Sequence, residues 1–141
     1  MKRTLAVLIA LAACRFGPST PTPLQISDVA GKWESQTLGF ASFTFDRQGC
    51  YFEIQEGIDA KTGRKTYHAE ARGDFTYFIG SILLKQKQRT VTGYKDDGSV
   101  DFVRTFHTAV RKVGVQFTKT GQMRVIEDDG TKRIFDRRVA W

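Results

Sequence analysis

From Trp33 onward, apolar and polar side chains alternate at period two, interrupted only by small clusters of Gly and Asp, and no stretch has the length and period of a core helix. A chain patterned this way has to fold as antiparallel hairpins. Proline is confined to Pro18, Pro21 and Pro23, so no later residue removes a donor from a strand ladder. The one helical feature expected is a short turn over residues 27–30, with Ser27 or Asp28 as its N-cap.

Residues that pair across a turn must share a face, and this fixes expected registers. Taking Asp46-Arg47-Gln48-Gly49 as a turn sets Phe45 against Cys50 and Phe43 against Phe52. With Gly57–Arg64 as the next loop, Ile54 faces Tyr67, Phe52 faces Ala69 and Cys50 faces Ala71, while Glu56 meets Lys65 and Glu53 meets His68 on the outer face. Gly73 either ends a strand or bends it as a bulge. A two-residue turn at Ile79-Gly80 opposes Tyr77 to Ile82 and Phe75 to Leu84.

A long strand then runs from Ile82 to Tyr94, with Gln86, Gln88, Thr90 and Tyr94 on one face and Lys85, Lys87 and Arg89 on the other. It turns at Lys95-Asp96-Asp97-Gly98 into Val100–Val110, in a register that opposes Arg104 to Thr90. Short hairpins through Thr120-Gly121 and Asp128-Asp129-Gly130 complete about nine strands. One apolar face and many edges are hidden most simply by closure, so the expected fold is all-β. It is an antiparallel up-and-down meander closing into a small barrel of about 8 to 10 strands.

The N-terminus carries a different signal. Met1-Lys2-Arg3 is a basic start, and the apolar run Leu5–Ala13 is too short to span a bilayer. It ends in Leu11-Ala12-Ala13-Cys14, a tetrad that resembles the lipobox of bacterial lipoproteins, in which the Cys is acylated and becomes the new N-terminus. The alternative is an ordinary secretory signal that happens to contain a Cys. On the lipobox reading, residues 1–13 are a lipoprotein signal peptide, 14–26 a lipidated Cys14 with a Pro/Ser/Thr tether, and 27–141 the folded domain. Arg15 after Cys14 implies, by the same resemblance, sorting to an outer membrane facing the periplasm.

Loss of residues 1–13 removes Lys2 and Arg3 and lowers the formal net charge from +7 to +5. A mildly basic envelope protein is drawn to anionic lipid or wall polymers, and nucleic acid is not an expected partner. With Cys14 carrying lipid, Cys50 has no disulfide partner and is expected as a small buried apolar residue.

Arg104, placed among Phe102 and Phe106 and near Gln86, Gln88, Thr90 and Tyr94, is the leading candidate for binding a carboxylate or phosphate inside a barrel. The alternatives are a bulge that turns it outward or a position at the barrel mouth. Lys85, Lys87 and Arg89 form a basic stripe, either a contact for an anionic surface or partner or a solvated face that discourages sheet aggregation. His68 and His107 have no neighbours at metal-ligand spacing, and the registers put His68 and Cys50 on opposite faces. No catalytic residue, metal site or cofactor is expected, and the chain is not read as an enzyme.

Gly31-Lys32-Trp33, preceded by a short turn and followed by this meander, resembles the G-x-W signature of lipocalins. The resemblance implies an up-and-down barrel for small apolar molecules, with a basic residue near the chain's end, Arg137 or Arg138, packed over Trp33. The segment Leu38–Ser42 leaves little room for a lid loop after the first strand. The expected function is a lipid-anchored envelope protein that binds a small amphipathic or acidic molecule. The alternative is a protein-interaction or inhibitor module whose barrel is filled by side chains.

Overall fold

The computed structural model describes Ile26 and residues 28–141. The expected signal peptide, the acylated Cys14, the Pro-rich tether and Ser27 lie outside the described residues. A helical turn closed by the Ala30 N–H donating to the Ile26 carbonyl oxygen (2.8 Å) leads into the first strand. Nine strands follow: β1 Gly31–Ser35, β2 Phe40–Phe45, β3 Cys50–Ile58, β4 Lys65–Phe78, β5 Ser81–Tyr94, β6 Val100–Phe106, β7 Ala109–Phe117, β8 Met123–Ile126 and β9 Lys132–Ala140.

All pairings are antiparallel. Neighbours pair in chain order except at β5, whose first half (Ser81–Gln86) pairs with β7 and whose second half (Arg89–Tyr94) pairs with β6. Because β9 pairs with β1 and β4 with β5, strands β1–β5 and β7–β9 form a closed eight-stranded barrel. Strand β6 is a ninth strand outside the ring. It and β7 follow one continuous register along β5, interrupted at His107-Thr108.

Aromatic side chains fill the barrel. Phe43 stacks on Phe45 with centroids 5.2 Å apart, Phe135 packs on Phe43 at 5.4 Å, and Phe75 meets Phe45 edge-on at 4.8 Å. Ile82, Leu84, Val113, Val115, Met123 and Val125 complete this core. Trp33 plugs one end, its indole N–H donating to the Val29 carbonyl oxygen (2.8 Å) and Arg137 lying over its ring at 4.6 Å. Of the two arginines expected over Trp33, Arg137 takes the place, while Arg138 pairs with Glu34 (3.1 Å). A bulge explains the split: Lys32 opposes Val139 but Trp33 opposes Arg137, leaving Arg138 as the extra residue. Gly31, with φ 137°, lies so close to the Val139 carbonyl oxygen that a Cβ would collide with it.

The expected pairs Tyr77–Ile82 and Phe75–Leu84 are both present. Two other registers differ. The β2–β3 connection is a four-residue loop, 46–49, closed by the Asp46 N–H donating to the Cys50 carbonyl oxygen, and Asp46 Oδ1 accepts from the N–H groups of Gln48 and Cys50. Gly49, at φ 89°, is the extra residue, so Phe45 opposes Tyr51 and Phe43 opposes Glu53. That one-residue shift turns β3 over. Tyr51 and Glu53 face inward, and Cys50 and Phe52, expected inside, are exposed.

In the next connection Asp59 Oδ1 accepts from the N–H groups of Lys61 and Thr62, which shortens the loop and moves the register by three, so Cys50 opposes Asp74 and Glu56 opposes His68. The second shift offsets the first, and Ala69 and Ala71 remain inside as expected. Gly73 does not end a strand: β4 runs through it, and the bulge beside it leaves Lys87 as the extra residue on β5.

Candidate functional site

The inner face becomes polar where β3, β4 and β5 run past the apolar core. Two rows of directly opposed residues cross the sheet there: Phe43, Glu53, Ala71, Arg89, Phe106, and Ala41, Gln55, Ala69, Val91, Arg104. Residues in such rows share one face. The concave surface of the barrel therefore continues onto β6.

At the boundary lies a hydrogen-bonded chain. Glu53, 4% exposed, accepts from Arg111 Nη2 on both carboxylate oxygens (2.9 and 3.0 Å) and from Gln55 Nε2 (2.6 Å). Arg89 Nη2 reaches the Gln55 side-chain oxygen at 3.5 Å, and Arg111 Nε faces Glu127 at ion-pair distance, 3.7 Å. Burial by itself would discharge Arg111, but Glu53 and Glu127 outweigh it and push its pKa up. Burial and the neighbouring Glu53 charge push the Tyr51 hydroxyl up to about 12. These groups form a paired polar floor over the dry aromatic core.

Above that floor is an open hollow of about 520 Å³, lined by Gln86, Arg89, Val91, Phe102, Arg104, Phe106 and Ala109. Arg104 lies over the Phe102 ring at 5.1 Å, and Gln86 donates to the His107 carbonyl oxygen (2.7 Å). No carboxylate of the described residues comes within ion-pair distance of Arg89 or Arg104. Two guanidinium groups thus share an apolar concavity with no acid opposite them. That combination suits an anion carrying an apolar body.

The structure brings together only some of the residues singled out in the sequence. Arg104 and Gln86 line one hollow with Phe102 and Phe106. Arg104 opposes Val91 rather than Thr90, because Tyr94 pairs with Val100 but Gly93 with Phe102, and the bulged Asp101 shifts the register by one. Gln88 and Thr90 face the other side, in a separate hollow with Phe52 and Arg72, where Gln88 accepts from Arg72 (2.7 Å). Tyr94 lies near the loop residues Asp59 and Thr62.

The basic stripe is divided. Lys85 and Lys87 are exposed, Lys87 paired with Asp74 (3.2 Å), whereas the bulge at Lys87 carries Arg89 to the inner face. His68 and Cys50 share the outer face rather than opposing ones, but six positions, about 20 Å of strand, separate them. The nearby charge of Asp46 leads the causes that push the Cys50 thiol pKa up, which keeps it protonated.

Glu53 and Arg111 have no place among the candidates that the sequence offers, and Arg89 is expected there only on the basic stripe, not in the hollow with Arg104. Their signal was the pattern of turns. Four hairpin loops share one form, a five-residue span with Gly fourth at positive φ: Asp46–Cys50, Lys95–Ser99, Thr118–Gln122 and Glu127–Thr131. Counting that Gly as an extra residue puts Glu53 inside.

The architecture is thus a closed antiparallel barrel, filled below and cationic at its mouth. No protein-family model matches the chain, and comparison with curated proteins finds no match.

Proposed function

We propose that the protein is a lipid-anchored component of a bacterial cell envelope whose lipocalin-like barrel binds a small amphipathic acid in the hollow beneath β6. The observation that carries this reading is the pairing of two acid-free guanidiniums, Arg89 and Arg104, with the apolar walls Val91, Phe102 and Phe106. A carboxylate or phosphate would take charge-assisted bonds from the arginines, and its apolar part would lie along the phenylalanines. The volume falls within the roughly 300–1,000 Å³ usual for small-molecule sites. Because aromatic side chains fill the barrel, the ligand sits at the mouth and not in a deep calyx. Cation–π closure of Trp33 by Arg137 supports the lipocalin-like comparison, and Leu11-Ala12-Ala13-Cys14 supports the anchor.

Native mass spectrometry of protein purified from its own cells tests the ligand. A retained lipid-sized mass that disappears in Arg104→Ala is expected, and a bare protein in both forms overturns the reading. The anchor is tested separately, since Cys14→Ser is expected to abolish membrane partitioning.

A further inference from the structure

We infer that the end of the barrel closed by Trp33 rests on the bilayer that holds the chain, its exposed apolar side chains entering the lipid headgroup region and the hollow beneath β6 facing away. The inference rests on the reading of Cys14 as a lipid anchor. The folded chain begins at this end: the entry turn covers Trp33, whose indole N–H donates to the Val29 carbonyl oxygen, and Ile26 packs on the core. Only the eleven residues 15–25 separate Ile26 from Cys14, a reach of at most about 40 Å. The β2–β3, β4–β5 and β7–β8 loops and Trp141 share this end, because Gly31 opposes both Phe45 and Ala140 and the Val115 N–H donates to the Gly80 carbonyl oxygen (2.9 Å).

Four large apolar side chains are exposed there: Phe78 at 42%, Ile79 at 76%, Phe117 at 41% and Trp141 at 46%. Strand β4 outruns β3, whose pairing ends where the Phe75 N–H donates to the Gly49 carbonyl oxygen, so Ile79 stands at a projecting tip. Aromatic rings around an aliphatic tip suit the boundary between headgroups and acyl chains. The opposite end exposes Leu38, Ile58 and Val100, none of them aromatic, among charge of the wrong sign. Its loops 36–39, 59–64, 95–99 and 127–131 hold six carboxylates against three cations, whereas loops 46–49, 79–80 and 118–122 at the closed end hold one carboxylate, Asp46, against Arg47 and Lys119. Asp28 in the entry turn is matched by Arg137, which binds its carbonyl oxygen (2.7 Å). An anionic leaflet therefore repels the mouth and accepts the closed end. Acylation keeps the chain at the surface, so a contact too weak to hold it alone is still populated.

The test uses the acylated chain purified from its own cells and reconstituted in vesicles of phosphatidylcholine and phosphatidylglycerol whose brominated acyl chains quench tryptophan on contact. Trp141→Phe leaves Trp33 alone and supplies the baseline. Quenching of the unaltered chain above that baseline is expected, and Ile79→Asp should reduce it while the protein still floats with the vesicles. Ala60→Trp, added to Trp141→Phe to place a reporter in a loop at the mouth, should show no quenching beyond the baseline. Circular dichroism confirms the barrel in each variant. Unquenched Trp141 in a folded, vesicle-bound chain, or equal quenching at both ends, overturns the inference and leaves the anchor reading standing. A purified chain whose mass shows no acyl group overturns the anchor, and the inference with it.

Discussion

Arg137 lies over the ring of Trp33, its guanidinium carbon 4.6 Å from the ring centroid, while its Nη2 donates to the carbonyl oxygens of Asp28 (2.7 Å) and Ala30 (3.1 Å). One side chain thereby ties the entry turn, the first strand and the last strand together. Arg137→Ala removes the cation–π contact and leaves two carbonyls to water, an expected loss of about 1–3 kcal/mol in urea unfolding. Arg137→Lys keeps the charge but loses the fork geometry, and its unfolding midpoint should fall between the two. Equal stability of all three forms would show that Arg137 does not hold that end closed.

Glu53 and Arg111 pose the opposite case, a charge pair inside the barrel. Removing one partner strands the other, so Glu53→Leu is expected to cost about 3–5 kcal/mol. Adding Arg111→Met to that variant should recover most of the loss, because apolar side chains of similar size suit the neighbouring core. Denaturation of the two single variants and the double measures the coupling. Simple additivity would mean that the pair contributes nothing as a pair.

The closed barrel and the strand count were legible because period-two alternation and turn residues report directly on hairpins, whereas the closure over Trp33 was implied only by the resemblance of Gly31-Lys32-Trp33 to the G-x-W signature. What failed was register. Gly49 and Asp101 each insert one residue, and a single residue turns a strand over, so Cys50 and Phe52 went outside while Glu53 went in. Arg104 survived as a candidate because Phe102, Arg104 and Phe106 keep a common face whatever β5 does. Arg89 was hidden because the bulge at Lys87 ends the simple alternation that had placed it beside Lys85. Apolar periodicity does not specify where bulges fall when both sides of a strand carry long polar residues, as β5 does.

His68 stands between two carboxylates, Nδ1 3.0 Å from Glu56 and Nε2 3.0 Å from Glu70, and Glu56 also pairs with Lys65. Burial alone would lower the His68 pKa, but its bonds to Glu70 and Glu56 outweigh burial and raise it above the ordinary 6.5. A raised folded value means that its stabilisation is complete below 6.5 and disappears as pH rises through that value. For Glu56, burial raises the pKa while the Lys65 and His68 bonds lower it further, so the net is below the ordinary 4.5. Its stabilisation is complete above 4.5 and is lost as pH falls through the lowered value. Stability from this cluster should therefore be greatest between 4.5 and 6.5 and decline as pH rises from 6.5 through the raised His68 value. Thermal unfolding across that window checks it, and His68→Gln should flatten the upper decline.

Gly93 is buried opposite Phe102, and a Cβ there would collide with the Phe102 ring that walls the hollow. Because Phe102 lies on an edge strand with exposed surroundings, the ring can swing aside without opening the barrel, so Gly93→Ala should cost only about 1 kcal/mol of stability. It should change the shape of the hollow all the same. Titration with anilinonaphthalene sulfonate, a fluorescent amphipathic anion, is expected to show affinity about fivefold weaker, equivalent to about 1 kcal/mol. Arg104→Ala should lower it further by removing a charged donor, and Thr90→Ala, on the opposite face, should leave it unchanged. Unaltered binding in Gly93→Ala would remove Phe102 from the site, and weakened binding in Thr90→Ala would move the site to the other face.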